Sequence, residues 1–404
     1  VFIYGLLANT TAWSQLQKLY IHPKAAGNER QSQFVDSIRF IPLEAKDGIR
    51  LGANNNITIT GNYFLINDYS GKKLFLFSKD GAFIKAVSYR HLGENFYPSY
   101  YEHLEQLVFF GQNRNYALTP KDHIQISMDW SNVRNKKYFK KYIINLSDPA
   151  FAIKKVEPHE YDINPAHNFY DDYYWRGWIT TSPLYTDSLD YELKIYKNNE
   201  LVKGFFPYNR INEPRFLFTQ GSAVLSKTAR SSIGFVTRPY CDTIYKIVRD
   251  SLFPAFQLVL PLENSLSPAF FSQRFKNKTE RENFQRNNGW MFRQVYDFHE
   301  TDRYIFLGVQ YHMNYETYIY HKQTSTGYKT KNIKADSSQY NLFLFNGFNT
   351  IRRGDKFYKL QKAGELTAFF EQHQSVPVPK ELESFLQDKP HNNAPVIVEF
   401  KLQN

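Results

Sequence analysis

The chain of 404 residues holds a single cysteine, Cys241, so it can form no internal disulfide and no cysteine-rich zinc site. Methionine is nearly as scarce, at three residues. No stretch reaches the ~20 consecutive apolar residues that a membrane-spanning helix requires. There is no GxSxG elbow, no phosphate-binding loop and no HExxH helix, and no carboxylate pair stands out as an acid–base signature. These gaps set aside the disulfide scaffold, the helical membrane protein, the elbow-type serine hydrolase, the loop-type nucleotide enzyme and the zinc protease.

What the chain does have is aromatic side chains and positive charge. Aromatics make up 17% of the residues, a composition that favours strands over helical bundles. Fifty Lys and Arg stand against 39 Asp and Glu, a net charge of +11 that favours anionic partners and says nothing about fold. The length is large for one ordinary core, so either two domains or a repeat architecture is expected.

A repeat is visible. In "LFLFSKDGAFIKAV" (74–87) two apolar runs flank Lys79-Asp80-Gly81, and the first run is apolar on both strand faces. Asp-Gly supplies the backbone freedom of a tight hairpin. Related units are "LKIYKNNELV" (193–202), "IYKIVRDSLF" (244–253), "YIYHKQTSTGY" (318–328) and "FYKLQKAGEL" (357–366), with a weaker copy, "YFKKYIINL", at 138–146. Most follow another strand-like run: "YFLIND" (63–68), "WITTS" (178–182), "IGFVT" (233–237), "YIFLGV" (304–309) and "LFLF" (342–345).

Six such units, spaced roughly 40 to 75 residues apart, match four-stranded propeller blades with insertions. Blades pack face to face, which explains central strands that are apolar on both sides. The expected fold is all-β: a six-bladed β-propeller with short helical insertions and terminal strands closing one blade. "FVDSIRFIPLE" (34–44) and "APVIVEFKL" (394–402) are the closing strands. Two insertions read as helical: 267–289, opening on Ser267-Pro268 and ending at Gly289, and 379–388, opening on Pro379 with Glu381 and Glu383 in its first turn.

The start, "VFIYGLLANTTAWSQ", is an apolar run followed by the small-x-small step Ala12-Trp13-Ser14, the pattern of a signal-peptide remnant. The plainer alternative is a buried N-terminal strand. The expected organisation is a signal remnant at 1–14, an N-terminal extension at 15–33 and the propeller at 34–404. The product is expected to be exported, periplasmic or secreted, without a lipid-anchor cysteine.

The run "FIPLEAKDGIRLG…ITITGNYFLIND…LFLFSKDGAFIKAV", with "GFFPYN" (204–209), "RPYCDTIYKI" (238–247), "FHETDRYIFLG" (298–308) and "NNAPVIVEFKL" (392–402), resembles the bacterial exported six-bladed propellers of NHL- and TolB-like shape. The resemblance covers most of the chain from Phe34 onward. It implies a fold and brings no catalytic residues. It is also imperfect, because the glycine-rich loop after the first blade is only "RHLGENFYPSYYE" (90–102) here.

Three stretches could carry chemistry. "EPHEYDINPAHNFYDDYYWRGW" (157–178) holds His159, Glu160, Asp162, His167, Asp171 and Asp172, residue types that bind divalent metals, at a spacing that fits no metal motif. A solvated loop is the simpler reading. Cys241 has Arg238 nearby to favour a thiolate, yet Asp242-Thr243 is an ordinary turn pair and lone cysteines are usually inert. The basic-aromatic run 134–146 has the make-up of a nucleic-acid stacking platform, or of a strand with a lysine face that discourages aggregation.

The expected function is a non-enzymatic exported propeller that binds a ligand or cell-envelope partner, such as an anionic glycan, on one ring face. The expected ligand surface is His167, Tyr170, Tyr173, Tyr174, Trp175, Arg176 and Trp178, whose flat rings could stack on sugars while Arg176 pairs with an anion. The structural reading of the same rings is packing between blades. No cofactor, no nucleic acid and no membrane span are expected, and the protein should be monomeric. The alternative is a metal-dependent hydrolase, lactonase or lyase of the gluconolactonase-like six-bladed type, with a divalent metal on the ring axis. N-terminal sequencing of the protein from its host should read from Gln15, and retention of residues 1–14 in a cytoplasmic fraction would rule out export by this route.

Overall fold

The computed structural model describes residues 16–25, 27–44, 55–93, 96–112, 139–157, 167–170, 173–177, 189–197, 200–209, 224–227, 233–273, 275–345, 350–388 and 393–403. Two strands come first among the described residues, β1 (Gln17–Tyr20) and β2 (Val35–Pro42), and both pair with segments far away in sequence. Four antiparallel sheets are then laid down as consecutive strands. The first is β3 (Asn55–Ile59), β4 (Phe64–Asp68), β5 (Lys73–Phe77) and β6 (Phe83–Ser88). The second is β7 (Pro98–Tyr101), β8 (Gln106–Gln112), β9 (Phe139–Asn145) and β10 (Lys154–Val156). The third is β11 (His167–Tyr170), β12 (Tyr173–Gly177), β13 (Leu189–Lys197) and β14 (Glu200–Asn209). The fourth is β15 (Val224–Lys227), β16 (Gly234–Thr237), β17 (Thr243–Val248) and β18 (Ser251–Val259), with β1 added in parallel beside β18.

The fifth sheet, β19 (Phe292–Glu300), β20 (Tyr304–Tyr311), β21 (Tyr315–His321) and β22 (Thr326–Lys329), follows the same plan. The sixth joins the two ends of the chain: β23 (Thr350–Arg353), β24 (Lys356–Lys362) and β25 (Pro395–Leu402), with β2 outside β25. Val35 pairs with Leu402 and Pro42 with Val396, so the terminal strands meet as the sequence leads one to expect. The stretch 15–33 also contributes a strand, β1, whose Leu19 is fully buried.

Inner strands are covered on both faces. Phe64–Asn67 of β4 are all buried, as is every residue of β20 and every residue of β25 except Lys401. The outer β6, by contrast, buries only Val87. That contrast comes from sheets stacking on sheets, because consecutive sheets share their cores. Phe64, Ile66 and Phe77 of the first sheet meet Tyr358 and Ile397 of the sixth. Leu74 and Leu76 meet Leu107 and Phe109 of the second. Leu193 meets Val236, joining the third and fourth sheets, and Phe235 meets Phe298 at a ring distance of 4.7 Å, joining the fourth and fifth. Phe306 meets Phe357 at 5.2 Å, joining the fifth and sixth. The fold is therefore propeller-like, with face-to-face sheets as its repeating contact.

Four α-helices sit among the described residues. Ser267 caps α1 (Pro268–Ser272) by accepting from Phe270 N, and Asn277 caps α2 (Lys278–Asn287) by accepting from Glu280 N. The others are α3 (Ala363–Gln372) and α4 (Lys380–Gln387). Helix α3 corrects the expectation of a sixth hairpin at 357–366. Only Lys356–Lys362 is strand, and the chain then turns helical because Ala363, Leu366, Phe369 and Phe370 form a buried stripe at helical spacing. Likewise "LFLF" at 342–345 is not a strand. It is a turn that drops Leu342, Leu344 and Phe345 into the core between the fifth and sixth sheets. In the weaker copy at 138–146, the strand β9 has its return partner only at β10. The run 178–182 lies outside the described residues.

Gly81 ties the β5–β6 turn to the sixth sheet. Its φ is +94°, its carbonyl accepts from Glu44 N at 2.9 Å, and a Cβ there would stand 2.1 Å from the carbonyl oxygen of Pro42. Gly81→Ala should therefore cost at least ~2 kcal/mol in urea-induced unfolding, from left-handed strain plus the backbone clash. A variant as stable as the parent would show that this turn is not fixed against β2.

Candidate functional site

A cleft of about 550 Å³ opens where four successive sheets converge. The fifth sheet contributes His299 and the sixth Arg352, Arg353 and Lys356. The first contributes Thr60 and Gly61 from its opening turn, while Glu102 comes from the second. Lys79, from the Lys-Asp-Gly turn of the first sheet, and Arg39, from β2, complete the rim. Five cationic side chains thus face two carboxylates, Glu102 and Glu399.

The charges fall into two groups. Some are locked by partners. Arg352 forms a two-pronged pair with Asp297, both contacts at 2.7 Å, and its guanidinium lies 5.1 Å from the Phe306 ring. Arg353 donates to the carbonyl of Ile59 at 2.8 Å and reaches Glu102 at 3.4 Å, linking the sixth sheet to the first and second. Lys356 pairs with Glu399 at 2.8 Å. Burial, reinforced by the charge of Glu399, pushes the Tyr358 hydroxyl well above its ordinary range, so it stays a neutral donor.

Lys79 and Arg39 are different. Among the described residues neither pairs with a carboxylate. The Lys79 ammonium instead lies over the face of Phe64, 4.3 Å from the ring centroid. Burial, and after it the charge of Arg353, lowers its pKa from 10.5 to about 8. A half-buried ammonium among other cations is costly by itself, and an anion seated in the cleft would relieve that cost. The arrangement can therefore bind and orient an anion through Lys79 and Arg39, on a frame kept rigid by the paired arginines.

The surface expected from sequence is described only in part. Backbone pairing sets His167 opposite Trp175 and Tyr170 opposite Tyr173, with a bulge between Asn168 and Tyr170. Tyr174 and Arg176 follow on β12, opposite Tyr196 and Lys194 of β13. The side chains of His167, Tyr170, Tyr173, Tyr174, Trp175 and Arg176, and all of Trp178, lie outside the described residues. So do His159, Glu160, Asp162, Asp171 and Asp172. Among the described residues no three His, Cys, Asp or Glu are grouped to hold a metal. No described helix is long and apolar enough to cross a membrane.

Cys241 is placed plainly. Arg238 donates through Nε to Glu192 at 2.6 Å and stacks on Phe206 at 3.9 Å, so its charge is already matched by a buried carboxylate. The thiol contacts the carbonyl of Thr243 and the Tyr245 hydroxyl at 3.8 and 4.0 Å, the surroundings of a structural cysteine.

Sequence reading missed the cleft. Its one available signal was the pair of adjacent arginines in "IRRGDK", placed just before a turn at Gly354, whose φ is +62°. Near neutral pH an anionic probe should bind with Lys79 charged, and its affinity should fall as pH rises through about 8. The sign follows from the lowered pKa: Lys79 is protonated below 8 and neutral above it, whereas an ordinary lysine stays charged beyond pH 10. Lys79→Arg should hold affinity flat to pH 10, and a parent profile that is equally flat would remove Lys79 from the site.

Comparison with known proteins gives a family and a fold. No curated protein matches the chain in sequence. Among solved structures, the exported-protein candidate BF0058 of Bacteroides fragilis aligns over 96% of this chain and all of its own length, at 14% identity and a TM-score of 0.56. A DUF4221-family protein of Bacteroides vulgatus aligns over 92% of this chain and 98% of its own, at 9% identity and a TM-score of 0.42. The β-propeller domain of Cps50 (Swd1) from Myceliophteria thermophila aligns over 76% and 85%, at 14% identity and a TM-score of 0.29. In sequence, residues 21–401 match a domain of unknown function, DUF4934, and the chain belongs to that family.

Proposed function

We propose that this DUF4934 protein is an exported, non-enzymatic six-bladed propeller that binds an anionic ligand, such as an acidic glycan, in the cleft around Lys79. The ring reading is supported by shared cores at five junctions between consecutive sheets, including the one that joins the sixth sheet to the first. Strand β2 lying outside β25 is the closure that such a ring uses. On this reading the fold has the NHL- and TolB-like shape that the sequence resembles. Export is supported by the Ala12-Trp13-Ser14 pattern and by the likeness to BF0058.

The observation that carries the binding reading is the pair of cations without carboxylate partners, Lys79 and Arg39, in a cleft whose other cations are already paired. Paired cations build a frame, while unpaired ones leave charge for a ligand. A volume of about 550 Å³ lies within the range of small-ligand sites. The net charge of +11 would draw an anion toward it, less strongly as salt screens the field. The aromatic surface at His167, Tyr170, Tyr173–Arg176 and Trp178 is proposed as a second contact for the same glycan.

Electrophoresis through gels containing polygalacturonate tests the reading. The parent should be retarded, with the retardation falling between 50 and 500 mM salt, roughly the change expected of a site using two or three charges. The double variant Arg39→Gln, Lys79→Gln should weaken retention about tenfold or more with its melting temperature nearly unchanged. Trp175→Ala and Arg176→Ala should weaken it too if the aromatic surface takes part. An unretarded parent, or a double variant retained as well as the parent, would sink the anion reading.

A further inference from the structure

A second cleft, of about 690 Å³, lies between the fifth sheet and the α3 side of the sixth. We infer that it is a binding site for neutral sugar residues, distinct in place and in chemistry from the cationic cleft. Strand β24 keeps the two apart. Lys356 and Tyr358 line the cationic cleft, while Lys359 and Gln361, which alternate with them, line this one from the opposite face of the sheet.

One wall is aromatic and is built by a glycine. The Tyr296 ring lies flat against Gly308 on the neighbouring strand, where a Cβ would stand 2.4 Å from the ring. Tyr315 packs edge-on to Tyr296, with ring centroids 5.7 Å apart, and is 54% exposed. Its hydroxyl accepts from the Gln310 amide, which fixes the direction of the ring. The opposing lip carries Phe343, 63% exposed. It sits just after Tyr340 and Asn341, two non-glycine residues at positive φ, +57° and +46°. Lys359 donates to the Phe343 carbonyl and so holds that lip in place. Two large rings are thereby kept open to solvent by a glycine seat, a strained turn and two hydrogen bonds. An ordinary packed surface has no use for such devices.

The polar lining separates a sugar from other ligands with an apolar face. The lining carboxylates Glu316 and Glu365 stand against the lining lysines Lys331 and Lys359, and Glu316 also holds the buried Lys329 at 2.9 Å. Lys331 is paired with Glu316 at 2.6 Å, which leaves little to attract an ion. Gln361 is 7% exposed, and its amide has no hydrogen-bond partner among the described residues although it lines the cleft. A primary amide that lines the cleft and offers both a donor and an acceptor fits the vicinal hydroxyls of a pyranose, which offer the complementary pair. A purely apolar ligand would leave that amide unsatisfied, and an anionic one would meet lysines that are already held, Lys331 by Glu316 and Lys359 by the Phe343 carbonyl.

Affinity electrophoresis with four neutral polysaccharides (glucomannan, xyloglucan, starch and dextran) tests the assignment. At least one should retard the parent, and 500 mM salt should leave the retardation unchanged. Phe343→Ala and Tyr315→Ala, both at exposed positions, should each weaken it about tenfold, and Gln361→Leu several-fold, with melting temperatures near that of the parent. The double variant Arg39→Gln, Lys79→Gln should be retarded as the parent is, which separates this site from the cationic one. Failure of all four polysaccharides would overturn the inference. So would retention that survives Phe343→Ala and Tyr315→Ala, or that is lost with the two cations instead.

Discussion

The pairing of β2 with β25 is the longest-range strand contact among the described residues. A sheet buried on both faces needs a neighbour on each side, so a row of such sheets leaves an apolar face bare at either end unless the row closes. The β2–β25 ladder brings together segments about 360 residues apart, a closure whose entropic cost is about 5 kcal/mol by polymer scaling. Phe40, Val396, Val398 and Phe400 are all at most 2% exposed within this sheet. At roughly 1.5–3 kcal/mol for each fully buried side chain, they offset that cost with some margin. The aromatic richness of the chain thus has a structural explanation. Wide, flat side chains fill the spaces between stacked sheets, as Phe235, Phe256 and Phe298 do at ring distances of 4.7 to 5.7 Å.

The same closure gathers charge. Turns that are remote in sequence meet where the first, second, fifth and sixth sheets converge, and there Arg353 hydrogen-bonds across two junctions. Pairing of Arg352 and Lys356 offsets the desolvation of those cations and holds them still. Lys79 has only an aromatic face, and a cation–π contact of about 0.5–2 kcal/mol compensates burial less fully than a carboxylate does. The lowered pKa of Lys79 is the visible sign of that shortfall.

How much of this could be read in the sequence follows from the range of each signal. Hairpins are local, so "LFLFSKDGAFIKAV", "IYKIVRDSLF" and "YIYHKQTSTGY" all fall on paired strands. The terminal strands were legible because "APVIVEFKL" is a largely apolar run and "FVDSIRFIPLE" places apolar residues in a strand-like pattern, with nothing local for either to pair with. The run "KAGELTAFF" was misread because its first four residues resemble a strand turn. Only the spacing of Ala363, Leu366, Phe369 and Phe370, viewed over two turns, reveals a helix. "LFLF" at 342–345 misled for the opposite reason: a buried turn and a buried strand share one composition. The cationic cleft was illegible, since Arg39, Lys79, Glu102, His299 and Arg353 come from five separate segments and no window holds two of them.

Alternation along one strand explains how the sixth sheet can serve two chemistries at once. In β24 the side chains of Lys356 and Tyr358 belong to a neighbourhood with Glu399, while Lys359 and Gln361 belong to another, beneath α3. Phe357, on the same face of the strand as Lys359, is fully buried, stacked on Phe400 at 5.3 Å and packed near Phe306. This alternation lets one cleft favour charge and the other favour hydroxyl groups, although the two draw on the neighbouring residues Tyr358 and Lys359.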